Sequence, residues 1–417
     1  MIEMETIRDR VILAGISETS ETDAQISIAE LAELAKTAGA EVLTHLIQNR
    51  SRPEPGTYLG KGKIEELKQL VEMLGANGVI CDDELSPAQM RNLQELLQCK
   101  VMDRTLLILD IFASRAITSE GKIQVELAQL KYRAARLTGL GKSLSRLGGG
   151  IGTRGPGEKK LEQDRRLIHE RISVLNKELK EVRRHRDVIW EGRKKGAMQT
   201  AAIVGYTNAG KSTLLNLLTD AGVLEEDALF ATLDPTTRAL TLPGGTQILL
   251  TDTVGFIRKL PHHLIEAFRS TLEEAALADY IIHVADASDP NAAWKMQVVY
   301  ETLHELKADE KPIITLFNKQ DLLEQSDENG ELPHLRDLRA DASIPISAKT
   351  GYGISEFLNA LEKLAHAGQI LVERIFAYTE ASAVARIRKY GQLLEEEYLD
   401  EGIRIRAFVP PELYGNI

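Results

Sequence analysis

Gly205-Tyr206-Thr207-Asn208-Ala209-Gly210-Lys211-Ser212 lies between the short apolar run Thr200–Val204 and a second one, Thr213–Leu218. The first run has the length of a buried strand, and the second reads as the helix that follows it. In that setting the glycines let successive backbone N–H groups turn inward around phosphate oxygens, and the helix N-terminus adds favourable partial charge. Lys211 then neutralises the β- and γ-phosphates, while the Ser212 hydroxyl offers an oxygen to magnesium. The pattern predicts an α/β nucleotide domain with a phosphate-binding loop.

Three further short patterns follow in chain order. Asp252-Thr253-Val254-Gly255 ends the apolar run Gln247–Thr251. This puts the Asp252 carboxylate within reach of the magnesium shell and the Gly255 N–H at the γ-phosphate. Asn318-Lys319-Gln320-Asp321 ends Pro312–Phe317, and Ser347-Ala348-Lys349 follows the next strand-like run. A carboxylate at Asp321 accepts two hydrogen bonds from the guanine N1–H and exocyclic amine. Adenine presents a bare acceptor there and leaves the carboxylate unpaired. The Ala348 N–H is expected to meet the guanine carbonyl. Each pattern is weak alone; their order and spacing point to a guanine nucleotide.

Leu229–Arg238, between the loop and Asp252, contains Thr232, Thr236 and Thr237. A threonine here should close over magnesium and the γ-phosphate. Thr236 and Thr237 stand ahead of Thr232, and residue type does not separate those two. Many GTPases place a glutamine after the Asp-x-x-Gly glycine to orient the attacking water. Here that residue is Phe256, which predicts slow intrinsic turnover. Asn208 resembles the asparagine of GTPases that hold potassium beside the transferring phosphate, so K+ joins Mg2+ as an expected cofactor.

The chain's 417 residues suggest two to four domains, and 43% hydrophobic with 27% charged residues reads as globular. The N-terminal MIEMETIRDR shows no secretory pattern. The apolar stretches Leu106–Phe112 and Tyr280–Ala287 are too short to span a bilayer. Two cysteines, Cys81 and Cys99, without metal-ligand spacing around them, suit reduced thiols in the cytosol. The net charge of −11 hides an asymmetry, because residues 122–195 carry 20 Lys and Arg against 9 Asp and Glu. A basic segment in an acidic protein is the footprint of a polyanion partner, although a charge run taken alone is more often a solvated helix face.

Four regions emerge. Residues 1–120 alternate strands (Val11–Ile16, Glu41–Gln48, Gly78–Cys81, Lys100–Asp103) with helices (Ala24–Thr37, Lys61–Leu74, Ser86–Leu97), an α/β domain. Residues 121–197 read as a basic helical hairpin, Lys122–Leu137 and Lys159–Trp190, around the glycine-rich stretch 147–157. Residues 198–367 form the Ras-like GTPase domain, with a surface excursion at Glu324–Asp341, and residues 368–417 a small α+β domain. His262-His263 lacks a third metal ligand, Trp190 and Trp294 read as packing aromatics, and Glu395–Glu397 reads as a solvated face.

The whole resembles the HflX family of translational GTPases. The residues that carry the resemblance are the phosphate loop, Leu233–Arg238, Asp252–Pro261, Gly56–Lys63 and Arg154–Glu158. In this family pattern the switch threonine corresponds to Thr236, and the chain is expected to be a cytosolic monomer working on GTP and GDP. The resemblance also implies attachment to the large ribosomal subunit, with splitting of stalled ribosomes by some members. The basic hairpin becomes the contact with ribosomal RNA, with Arg146, Arg154, Lys159 and Lys160 as candidates, and Gly60 and Gly62 more simply cap a helix start. Two rival readings are a GTP-gated RNA- or ribosome-binding module without splitting activity, and an RNA-remodelling enzyme with a second nucleotide site in the N-terminal domain.

Overall fold

The computed structural model describes residues 9–18, 20–144, 156–195, 199–219, 229–230, 235–259, 274–323, 335–409, 411–415 and 417. The chain divides into two units. One comprises Met1–Glu181 with Ala228–Phe230 and Arg258–Arg269, and the other Val182–Asp227, Ala231–Ile257 and Ser270–Ile417.

The first unit opens with β1 (Arg10–Ser17), β2 (Glu41–Asn49), β3 (Gly78–Cys81) and β4 (Lys100–Asp103), a parallel sheet in the order β2-β1-β3-β4. The connecting helices are α1 (Glu21–Thr37), α2 (Lys61–Leu74) and α3 (Pro87–Leu97), so each predicted element is present with ends displaced by three residues or fewer. Ser86 caps α3: its hydroxyl accepts the Gln89 N–H and the Gln89 side chain returns to the Ser86 N–H, with Pro87 at the first helical position. Gly60 is the N-cap of α2, and Gly62 lies in its first turn. The apolar Leu106–Phe112 belongs to a further helix, α4 (Arg104–Arg115).

At the carboxyl ends of β1 and β3 sits a buried charge cluster. Arg104, 1% exposed, donates to Asp82 at 2.8 Å and to the carbonyls of Ser27 and Arg258. Lys259 Nζ lies 2.5 Å from both Asp82 Oδ2 and Asp83 Oδ1. Burial pushes the Asp82 carboxyl up, but Arg104 and then Lys259 outweigh it and hold it at about 2. Its ionised form therefore stabilises the fold above the unfolded value of about 3.9, and that contribution disappears as pH falls toward the folded value. Asp82→Asn removes the nearer of two carboxylates paired with buried Arg104, leaving Glu30 at 3.8 Å. It should cost about 3–5 kcal/mol, measured as a lower denaturant midpoint at neutral pH, with the difference from the parent shrinking in acid.

The hairpin is built from α5 (Ser119–Leu144) and α6 (Pro156–Lys195), both longer than their periodic cores predict. Leu127, Leu175 and Leu179 form its apolar seam, and Arg171 clasps Glu126 at 2.7 and 2.8 Å. Buried Asp103 ties α5 to the sheet, accepting from Tyr132 at 2.8 Å and Arg136 at 2.7 Å. At 40 residues α6 is about 60 Å long. Arg146 and Arg154 lie outside the described residues, whereas Lys159 and Lys160 belong to the first turns of α6.

The second unit contains a six-stranded sheet, β10-β9-β8-β5-β7-β6, parallel except for β6. Its strands are β5 (Gln199–Gly205), β6 (Thr236–Thr241), β7 (Gln247–Asp252), β8 (Tyr280–Asp286), β9 (Ile313–Asn318) and β10 (Ala342–Pro345). The same unit carries an antiparallel sheet of β11 (Ile370–Phe376), β12 (Gln392–Leu399) and β13 (Gly402–Val409), with helix Ala381–Tyr390 packed on it through Val384 and Ile387. Glu395 and Glu397 pair with Arg406 and Arg404 through exposed side chains at 3.5 and 3.1 Å. The fold class is thus the mixed α/β arrangement expected, with helical hairpin, phosphate-loop domain and a small α+β appendage.

Candidate functional site

Strand ends assemble the site. β5 delivers Gly205, β7 Asp252, β8 Asp286 and β9 Asn318, and Ser347 follows two residues after β10. Because β5 has β7 on one side and β8 on the other, the phosphate loop opens at the switch point where such sheets take ligands.

The loop's shape depends on Asn318. Its Nδ2 donates to the Ala209 carbonyl at 2.8 Å, and its Oδ1 accepts the Ala348 N–H at 2.9 Å. Gly210, at φ 94°, has no room for a Cβ, which would stand 2.2 Å from that same Nδ2. The Ala348 N–H predicted for the guanine carbonyl is therefore already engaged, and a base meeting it would share it with Asn318. Ser347 donates its hydroxyl to Asp321 Oδ1 at 2.7 Å, aiming the carboxylate. Lys349 is exposed.

Lys211 is 7% exposed and donates to the Tyr206 carbonyl at 2.9 Å. Burial pushes its ammonium down to about 8, against the opposing pull of Asp252. That is a cation in need of the counter-charge a phosphate supplies. Ser212 Oγ donates to Asp252 Oδ2 at 2.7 Å, and Asp252 is fully buried, so two hard oxygen ligands suited to magnesium stand together. The β6–β7 register sets Thr236 directly opposite Asp252. Thr237 is engaged elsewhere, its hydroxyl 3.0 Å from that of Thr251. Thr232 lies outside the described residues.

Thr253 donates its hydroxyl to the Ile203 carbonyl at 2.8 Å, which secures the turn to β5, and Val254 is buried. Thr213 is half-buried in the first turn of helix α7 (Lys211–Thr219). Asn208 is exposed at φ 62°, a left-handed conformation that asparagine tolerates. Phe256, 2% exposed, donates its N–H to the Gly205 carbonyl at 3.1 Å and accepts the Thr207 N–H at 2.9 Å. Trp294 packs its ring beside Tyr206, 6.3 Å between centroids, and Lys295 lies over the Tyr206 ring.

Sequence reading missed Asp286, which ion-pairs with Lys319 at 2.7 Å and holds Ser288 through its other oxygen. A carboxylate closing an apolar strand was the available signal. His262 and His263 lie outside the described residues, among which no cluster of three or more His, Cys, Asp or Glu is suited to a metal ion. Cys81 and Cys99 are free thiols. No described helix is long and apolar enough to cross a membrane.

Residues 25–113 match the family described as GTP-binding GTPase N-terminal, 115–193 the GTP-binding GTPase middle region, and 200–319 the 50S ribosome-binding GTPase. The GTPase HflX of Lacrimispora saccharolytica is 62% identical over all of this chain and 97% of its own length. That of Caldanaerobacter subterraneus is 48% identical over 99% of this chain and 94% of its own. Among solved structures, the complex of SsGBP with GDP is 26% identical over 85% of this chain and 98% of that one, with a TM-score of 0.47. Near-full-length likeness to these relatives, joined to the match of residues 200–319 to the 50S ribosome-binding GTPase, places the chain in the HflX family of GTPases.

Proposed function

We propose that this GTPase binds the large ribosomal subunit in its GTP state and couples hydrolysis to the splitting or remodelling of stalled ribosomes. The observation that carries the ribosomal part is the basic segment, 20 Lys and Arg against 9 Asp and Glu over residues 122–195, whose described residues lie on two long helices within the match to the family's middle region. Lysine and arginine neutralise RNA phosphates, and glycines let backbone approach the RNA closely. Arg146, Arg154, Lys159 and Lys160 are the proposed contacts. The four-part division at residues 120, 197 and 367 would let the hairpin work as one element. A cytosolic monomer fits this reading, which requires no membrane.

At the nucleotide site, Gly205–Thr213 cradle the phosphates, and Asp321 reads the base with Lys319, Ser347, Ala348 and Lys349 around it. Magnesium, when bound, offsets charge on the phosphate oxygens, and Ser212, Asp252 and Thr236 would hold it. Lys211 and the Gly255 N–H meet the γ-phosphate. With Phe256 where a water-orienting glutamine would stand, turnover is slow until a partner surface orders the site. Large subunits should raise the hydrolysis rate at least about tenfold, and an unchanged rate would remove the ribosome as activator.

Asn208 is proposed to hold potassium beside the transferring phosphate, supplying charge in place of an arginine. Turnover should then be several-fold faster in potassium than in sodium salts. Equal rates would leave Asn208 only its part in shaping the loop.

A further inference from the structure

We propose that Thr207 is a catalytic residue of GTP hydrolysis: its hydroxyl accepts a hydrogen bond from the attacking water and donates one to a γ-phosphate oxygen. Three observations meet at this side chain. Thr207 is 5% exposed, yet its Oγ1 has no hydrogen-bond partner among the described residues. A buried hydroxyl without a partner costs stability, so a retained one calls for another reason.

The second observation is position. A Cβ built on Gly255 would stand 2.7 Å from Thr207 Cγ2, 2.8 Å from Thr207 Cα and 2.8 Å from Lys211 Nζ. Thr207 thus shares one small volume with the two groups assigned to the γ-phosphate, the Lys211 ammonium and the Gly255 backbone. Rotation about χ1 exchanges its methyl and hydroxyl within that volume.

The third is the state of Phe256. Its ring is buried, its N–H goes to Gly205 and its carbonyl takes the Thr207 N–H. The residue that in many GTPases serves the water therefore has no side-chain donor or acceptor and both its backbone groups engaged. The Thr207 hydroxyl keeps one donor and two acceptor positions.

In the step, the water oxygen bonds to the γ-phosphorus while the bond from that phosphorus to the β,γ-bridging oxygen breaks. The electron pair leaves with GDP, and the water protons end on inorganic phosphate and solvent. Thr207 is unchanged at the end. It orients the nucleophile and stabilises equatorial charge, a role for which loss of one positioned hydrogen-bonding group costs about 100–1000-fold.

The experiment compares Thr207→Val, which keeps the shape, with Thr207→Ser, which keeps the hydroxyl. Single-turnover GTP hydrolysis, GDP affinity and Tm are measured on the full chain. The expected result is at least a tenfold slower rate for valine, GDP affinity within threefold of the parent, and a serine variant that recovers most of the rate. A valine variant that hydrolyses at the parental rate with a raised Tm would assign the hydroxyl no part in the step. Serine as slow as valine, or rate and affinity falling together, would likewise overturn the proposal in favour of packing.

Discussion

Asp321→Asn should exchange guanine for xanthine recognition, lowering affinity for GDP by at least about 100-fold while making XDP the tighter ligand. The reason is donor and acceptor parity. Ionised Asp321 offers two acceptors to the N1–H and 2-amino group of guanine. Its Oδ1 is already fixed by the Ser347 hydroxyl at 2.7 Å, so the carboxylate has one preferred setting. Asparagine keeps an acceptor for Ser347 but turns the other atom into a donor, which then faces the guanine amine donor to donor. Xanthine carries a carbonyl where guanine has that amine, and parity returns. Competition between GDP and XDP for a fluorescent guanine nucleotide measures this directly. An unchanged GDP-to-XDP ratio would mean that Asp321 does not read the base.

Gly255→Ala should slow hydrolysis at least about 100-fold, with a much smaller loss of GDP affinity. The new methyl would overlap Thr207 Cα at 2.8 Å, a backbone atom of the phosphate loop, as well as Lys211 Nζ at 2.8 Å. Backbone cannot rotate aside as a side-chain tip can, so the turn after Asp252 must retreat. That carries the Gly255 N–H away from the γ-phosphate, whereas GDP never uses that donor. Single-turnover rates beside GDP titrations separate the two effects. A rate within threefold of the parent would show that the turn does not serve the γ-phosphate.

Local pattern made most of the fold legible. Strand–helix alternation with Gly60 and Ser86 at helix starts located the parallel sheet of the first unit, because burial on both sheet faces writes continuous apolar runs. The strand ends at Gly205, Asp252 and Asn318 were legible because the apolar runs before them stop there. What escaped depends on register and tertiary contact. Thr236 and Thr237 are the same residue type one step apart, and only the antiparallel pairing sets Thr236 opposite Asp252 while Thr237 meets Thr251. The bond from the Ala348 N–H to Asn318 Oδ1 spans 30 residues and leaves no local pattern. The ion pair of Asp286 with Lys319 joins two strand ends that sequence distance separates. Arg104 and Asp82 are charged residues, and composition alone offers no warning that both are buried.

The central claim is that GTP binding at this site attaches the chain to the large ribosomal subunit. Sucrose-gradient sedimentation with intact ribosomes and separated subunits tests it most directly, run with a non-hydrolysable GTP analogue, GDP or no nucleotide at two salt concentrations. The account predicts analogue-dependent co-sedimentation with the large subunit, weakened at the higher salt, and intact ribosomes separating into subunits. Attachment with ribosomes left intact would reduce the protein to a GTP-gated binding module. Failure to sediment with ribosomal particles under every condition would contradict the account and leave a GTPase whose partner lies elsewhere.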